Sequence, residues 1–127
     1  MQMKLTKEEL IERQNVWRAI SVFYLDTELD DKDYNNTAKI LIESNIEIEE
    51  LKLIDLYEIF PTLQLNLLSP AGEWAGFNST WLNERCLKNY ERRNSSRSFR
   101  IFIKLINKFN YWMRKRHWVA IESRMNL

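Results

Sequence analysis

Residues able to do chemistry are few in this sequence, and they do not converge. Cys86 is the single cysteine and His117 the single histidine. A structural zinc site takes four Cys or His ligands and a disulfide takes two cysteines, so neither can be built within the chain. His117 lies in RKRHW and reads as a solvated or rim residue rather than as the base of a nucleophile. Cys86 falls on an apolar helix face and reads as a small core residue. The densest run of carboxylates is LDTELDDKDY, with Asp26, Glu28, Asp30, Asp31 and Asp33. A calcium loop counted from Asp26 needs Gly at its sixth position and Glu at its twelfth. Those positions hold Asp31 and Thr37, so the motif fails. Two carboxylates can share acid–base work, and Glu28 with Glu73 is the pair that suggests itself. The same two acids serve as well to hold a buried arginine or a helix end. No catalytic residue, metal ligand or cofactor is assigned, and no enzymatic activity is expected.

The elements that position these residues read as helices. Thr6 followed by Glu9 forms a capping box, and a helix is predicted from Lys7 to Leu25. Its apolar stripe is Leu10, Trp17, Ile20 and Tyr24, widened by Val16 and Phe23. Arg13 falls inside that stripe. A buried guanidinium without a carboxylate is costly, so an ion pair with Glu73 or Glu28 is expected. Asp30 or Asp31 caps a second helix running to Ser44, with Tyr34, Ala38, Leu41 and Ile42 on its inner face. A third helix spans Glu47 to Phe60, with one stripe of Leu53, Leu56, Tyr57 and Phe60 and a second patch at Leu51 and Ile54. Pro61 opens a short fourth helix to Leu68, or kinks a single longer one.

Asn66 to Leu82 then forms the main corner, holding Pro70, both glycines (Gly72, Gly76) and the aromatics Trp74, Phe77 and Trp81. Asn78 caps a fifth helix to Arg93, with Trp81, Leu82, Cys86 and Tyr90 inward. The segment from Ser96 to Arg114 carries both strand-like alternation and helical spacing, and its length favours a helix. A break is expected before a last helical piece near Trp118 to Arg124. The fold class is therefore all-α: one domain over residues 1–127, with five to seven helices around an aromatic core that buries Trp17, Trp74 and Trp81.

The chain of 127 residues has a net charge of +1, which hides two opposed halves. Residues 1–84 hold 7 Lys and Arg against 16 Asp and Glu, a net of −9. Residues 85–127 hold 12 against 2, a net of +10. Such a split marks interaction surfaces or two halves that neutralise each other. No apolar run reaches the roughly 20 residues of a membrane span. The N-terminal stretch lacks the apolar core of a signal peptide, so a cytoplasmic setting without membrane contact is expected.

Two motif blocks carry a resemblance. They are R13-x-x-V16-W17-x-x-I20-S21 with F23-Y24-L25-D26-T27-E28, and N66-L67-L68 with A71-G72-E73-W74-A75-G76-F77 and W81-L82. Over about residues 13–85 the chain resembles a family of small bacterial proteins that form a domain of unknown function. The resemblance implies a compact helical bacterial protein with no assigned enzyme site. Small bacterial proteins of this kind are often immunity proteins, which bind and block a cognate toxin. The acidic band suits that role, and Asp26, Asp30, Asp31, Asp33, Tyr34, Glu47, Glu49 and Glu50 are the expected contacts. The rival expectation is nucleic-acid binding through Arg85, Lys88, Arg92, Arg93 and Arg97, with Trp112 and Trp118 as stacking platforms.

Overall fold

The computed structural model describes residues 5–24, 29–63 and 79–125. Helix α1 (Lys7–Ser21) opens on the expected capping box: Glu9 N–H donates to the Thr6 hydroxyl and Thr6 N–H to the Glu9 carboxylate. It ends four residues early, where a 3-10 turn (Val22–Tyr24) tightens the chain. Helix α2 (Asp31–Glu43) is capped by Asp30, again reciprocally, with Asp33 at the third position. Asn45, at φ 59°, reverses the chain after the Ser44 C-cap. Asparagine tolerates this left-handed geometry better than most side chains. On α2 the inner residues are Thr37, Ala38 and Leu41, whereas Ile42 is exposed and Tyr34 half-buried. The inner face is thus turned by about one position from the stripe expected.

Helix α3 (Ile48–Ile54) continues without interruption through a π turn (Asp55–Ile59) into α4 (Phe60–Leu63). The longer of the two sequence readings, one modified helix rather than two, is the one observed. Phe60 N–H reaches back to the Asp55 carbonyl, five residues away. Pro61 gives the physical reason. In a regular α-helix its ring would clash with the Tyr57 carbonyl, and it has no N–H to offer. The wider turn just before it accommodates both demands, as local insertions of this kind do.

Helices α5 (Ser79–Ser95), α6 (Arg97–Asn110) and α7 (Trp112–Arg124) follow. Ser96 caps α6 through Phe99 N–H. The break between α6 and α7 falls at Tyr111, earlier than the sequence suggested, and no strand forms among the described residues. With α3, the π turn and α4 counted as one helix, the described residues form six, in an all-α fold.

That interrupted helix is the hub. Helices α1, α5 and α6 pack on its π turn, and α2 bridges α1 to α7. Trp17, Ile20, Leu41, Leu51, Ile54, Ile59, Phe60, Leu82 and Trp118 form one continuous core. Trp17 is buried as expected, but Trp81 is only half-buried. Trp74 and most of the predicted corner, including Pro70, Gly72, Gly76, Phe77 and Asn78, lie outside the described residues. A helix covered on most sides leaves little room for polar side chains on its surface. The π turn nevertheless carries two acids, Asp55 and Glu58, and both are buried.

Candidate functional site

Three arginines, two indole N–H groups and a buried tyrosine hydroxyl gather around those two carboxylates. The π geometry turns less per residue than an α-helix, so Asp55 and Glu58 diverge more around the axis than α-helical i, i+3 neighbours would. Each therefore meets a different set of helices.

Asp55 faces the 3-10 turn and α7. Its Oδ1 accepts a hydrogen bond from the Tyr24 hydroxyl. Its Oδ2 accepts from Arg114 Nε at 2.9 Å and from Trp118 Nε1 at 3.0 Å. Arg114 also donates through Nη2 to Asn107 Oδ1 at 2.6 Å. Its guanidinium lies 4.7 Å from the centre of the Phe60 ring and 5.2 Å from that of Tyr111. Burial opposes the charge on Arg114, but Asp55 together with Tyr24 and Tyr111 leaves the group more firmly protonated than usual. Burial, and then the Asp55 charge, push the Tyr24 hydroxyl well above the ordinary phenol range, so it stays a donor.

Glu58 faces α1 and α5. Its carboxylate accepts Arg13 Nε at 2.8 Å, Arg13 Nη2 at 2.7 Å, Trp17 Nε1 at 2.9 Å and Arg93 Nη1 at 2.6 Å. Four donors fill the acceptor capacity of a carboxylate. Glu50 closes the outer side, at 2.9 Å from Arg93 Nη2 and 3.5 Å from Arg13 Nη2. Arg13 stacks on Tyr90 at 4.4 Å and Arg93 lies 5.7 Å from the Tyr57 ring centre. Burial opposes the charge on Arg13 as well, yet its bonds to Glu58 leave its pKa raised. The Glu58 carbonyl is held too, by Thr62 Oγ1 at 2.9 Å and Asn89 Nδ2 at 3.2 Å.

The ion pair predicted for Arg13 is therefore present, but with a different acid. Glu58 and Glu50 hold it, while Glu28 and Glu73 lie outside the described residues. Arg93, expected on an outer basic ladder, is half-buried and engaged internally; Arg85, Lys88, Arg92 and Arg97 are exposed. Trp118 is sealed in the core and offers no stacking face. His117 is buried rather than solvated. It stacks on Phe23 at 5.0 Å, and its Nδ1 lies 2.8 Å from the Tyr34 hydroxyl. Cys86 is fully buried, and burial pushes its thiol far above the ordinary range. Among the described residues no group of three or more His, Cys, Asp or Glu is placed to hold a metal ion.

Among the acidic candidates, Asp30 and Asp33 serve the α2 cap, Asp31 pairs with Arg124 at 2.9 Å, and Glu50 joins the Arg13–Arg93 cluster. Glu47 and Glu49 are exposed at the start of α3, and Asp26 lies outside the described residues. Between α1 and α2 opens a cleft of about 650 Å³. Glu12, Asp33 and Glu43 line it, and Arg18, the one cationic lining residue among those described, is turned to Asn15 Oδ1 at 2.7 Å. Sequence reasoning overlooked both Asp55 and Glu58. The signal available was IDLYEIF, two acids inside a helix whose apolar patches leave them no solvent-facing side.

His117 gives a pH test. Burial, and then Arg116, hold its pKa below the ordinary imidazole range, with Asp55 acting in opposition. The unfolded imidazole then binds a proton more readily than the folded one. The stability this group contributes is complete above its unfolded value near 6.5 and is lost as pH falls through the depressed folded value. The melting temperature is expected to drop between about pH 7.5 and about pH 5.5, and His117→Gln to reduce that drop. Equal drops in both proteins would count against this role.

An all-α protein built on a π turn with two buried, arginine-paired carboxylates is the class that fold and site define. The chain belongs to the family described as Domain of unknown function (DUF7079), which it matches over residues 11–124. The match reaches well beyond residues 13–85 and takes in α6 and α7. No match is found among curated proteins or among solved structures. No described helix is long and apolar enough to cross a membrane.

Proposed function

We propose that the protein is an immunity-type binder, which neutralises a cognate antibacterial toxin by occupying it rather than by chemistry. The observation that carries this reading is the acidic cleft between α1 and α2, with Glu12, Asp33 and Glu43 in its walls. Exposed Asp30, Asp31, Glu47 and Glu49 extend the acidic character along the starts of α2 and α3. The buried acids support the same reading from the other side. Asp55 and Glu58 already hold tyrosine, tryptophan and arginine donors, and serve the core rather than a ligand. A toxin that cleaves nucleic acid needs a basic surface for phosphates. An acidic partner steers onto such a surface and rejects unrelated ones.

The experiment is co-expression with the product of a neighbouring toxin-sized gene, scoring growth rescue and co-purification. The wild-type chain should rescue growth and co-purify. Glu43→Lys, Glu47→Lys and Glu49→Lys together should slow association by about tenfold or more, since rim charges act mainly on the on-rate. Rescue unchanged by this reversal would remove the site. The absence of any toxic, binding neighbour would remove the function.

A further inference from the structure

Helix α6 carries a feature that the acidic cleft does not use. Ile103 turns into the core, with Phe99 and Ile106 half-buried beside it. The apolar face does not stop there. Ile101, Phe102, Leu105 and Phe109 are 55–75 % exposed. At 100° per residue these four fall on one adjoining arc of the helix, with Arg97, Lys104 and Lys108 along its outer edge. All three basic residues are exposed. The stripe runs about 12 Å along the axis at 1.5 Å per residue.

Isolated exposed apolar residues are ordinary, but a contiguous stripe of two phenylalanines, a leucine and an isoleucine marks a contact surface. Charge selects the occupant. From Arg92 to Ile121 the chain holds nine Lys and Arg and no Asp or Glu. Arg93 and Arg114 are spent on buried acids and half-buried Arg100 donates to the Arg93 carbonyl, while Arg92, Arg97, Lys104, Lys108, Lys115 and Arg116 are exposed. Two copies pairing through α6 would bring basic edges together without a compensating acid. A protein partner would have to answer an edge of one sign only. An anionic lipid surface answers it uniformly: the apolar stripe enters the headgroup–acyl boundary while Lys and Arg stay at the phosphates.

We infer that α6 is a peripheral docking helix for an anionic membrane surface, seated through Ile101, Phe102, Leu105 and Phe109 and held by Arg97, Lys104 and Lys108. No described helix crosses the bilayer in this arrangement. It departs from the expectation of no membrane contact, and it stands independently of the toxin-binding reading.

The test is co-sedimentation of the full chain with vesicles of phosphatidylcholine alone, or of phosphatidylcholine with about one third phosphatidylglycerol. Binding is expected only to the anionic vesicles, and it should weaken as salt rises. Phe102→Asp with Phe109→Asp should reduce binding by about tenfold or more while leaving circular dichroism and melting unchanged, because both side chains are largely exposed. Lys104→Glu with Lys108→Glu should weaken it and flatten the salt dependence. Three results would overturn the inference. They are no binding to anionic vesicles at low salt, binding indifferent to the phenylalanine changes, and a concentration-dependent dimer in light scattering that those changes dissolve.

Discussion

Asp55→Ala is expected to cost about 3–5 kcal/mol, the usual result of stripping one partner from a buried ion pair. For a chain of this length that is a fall in melting temperature of roughly 10–20 °C. Arg114 is 2 % exposed and Asp55 1 %, so water cannot replace the lost carboxylate without opening the core. The substitution also strands the Tyr24 hydroxyl and the Trp118 Nε1–H, both of which donate to Asp55. Urea and thermal unfolding would measure the loss. Should the single variant fail to fold, Asp55→Asn provides a milder step, since an amide oxygen still accepts one donor. Asp55→Leu combined with Arg114→Met should recover part of the loss, because an apolar replacement of a whole pair is often tolerated. An Asp55→Ala protein that melts within a few degrees of wild type would show that the pair contributes little.

Glu58→Gln is expected to destabilise by about 3 kcal/mol, somewhat less than Asp55→Ala. Glu58 is fully buried, but its arginines are not sealed: Arg13 and Arg93 are 13 % and 15 % exposed. Water and Glu50 can therefore compensate in part for the missing charge. Glu50 itself is 38 % exposed, and Glu50→Gln should cost no more than about 1 kcal/mol, as for surface pairs. Arg13→Ala should fall between them, since Arg93 and Trp17 remain on Glu58. Denaturant melts of the three variants test the order. A Glu50 variant weaker than the Glu58 variant would invert the assignment of the central acid.

Local rules made the periphery legible. Thr6 with Glu9 formed as read, and of the two acids offered for the second cap, Asp30 or Asp31, Asp30 takes it; both caps are short-range contacts between near neighbours. The all-α class followed from helical spacing in segments too long for strands. The core was less legible, because its partners lie far apart. Arg13 announced an ion pair, but not that its acid stood 45 residues on at Glu58. His117 sits among three cationic neighbours in sequence, which suggested solvent, yet Phe23 and Tyr34 fold over it. The inner face of α2 was misread at Ile42 because Thr37, a polar residue, takes the buried position instead. The candidate contact surface was legible as charge, but the cleft between α1 and α2 needs two helices to be placed together.

The bonds on Asp55 set an order on synthesis. Arg114 and Trp118 lie 59 and 63 residues after Asp55. At 5–20 residues per second, a ribosome reaches Arg114 roughly 3–12 s after Asp55 has been made. Through that interval the nascent chain can dock α1 on the central helix, because Arg13 and Trp17 precede Glu58. It cannot bury Asp55 without leaving an uncompensated charge. The donors to Glu58 on α1 and α5 are thus made before those on α7 that reach Asp55, which makes Asp55 the last buried acid of the central helix to find its arginine.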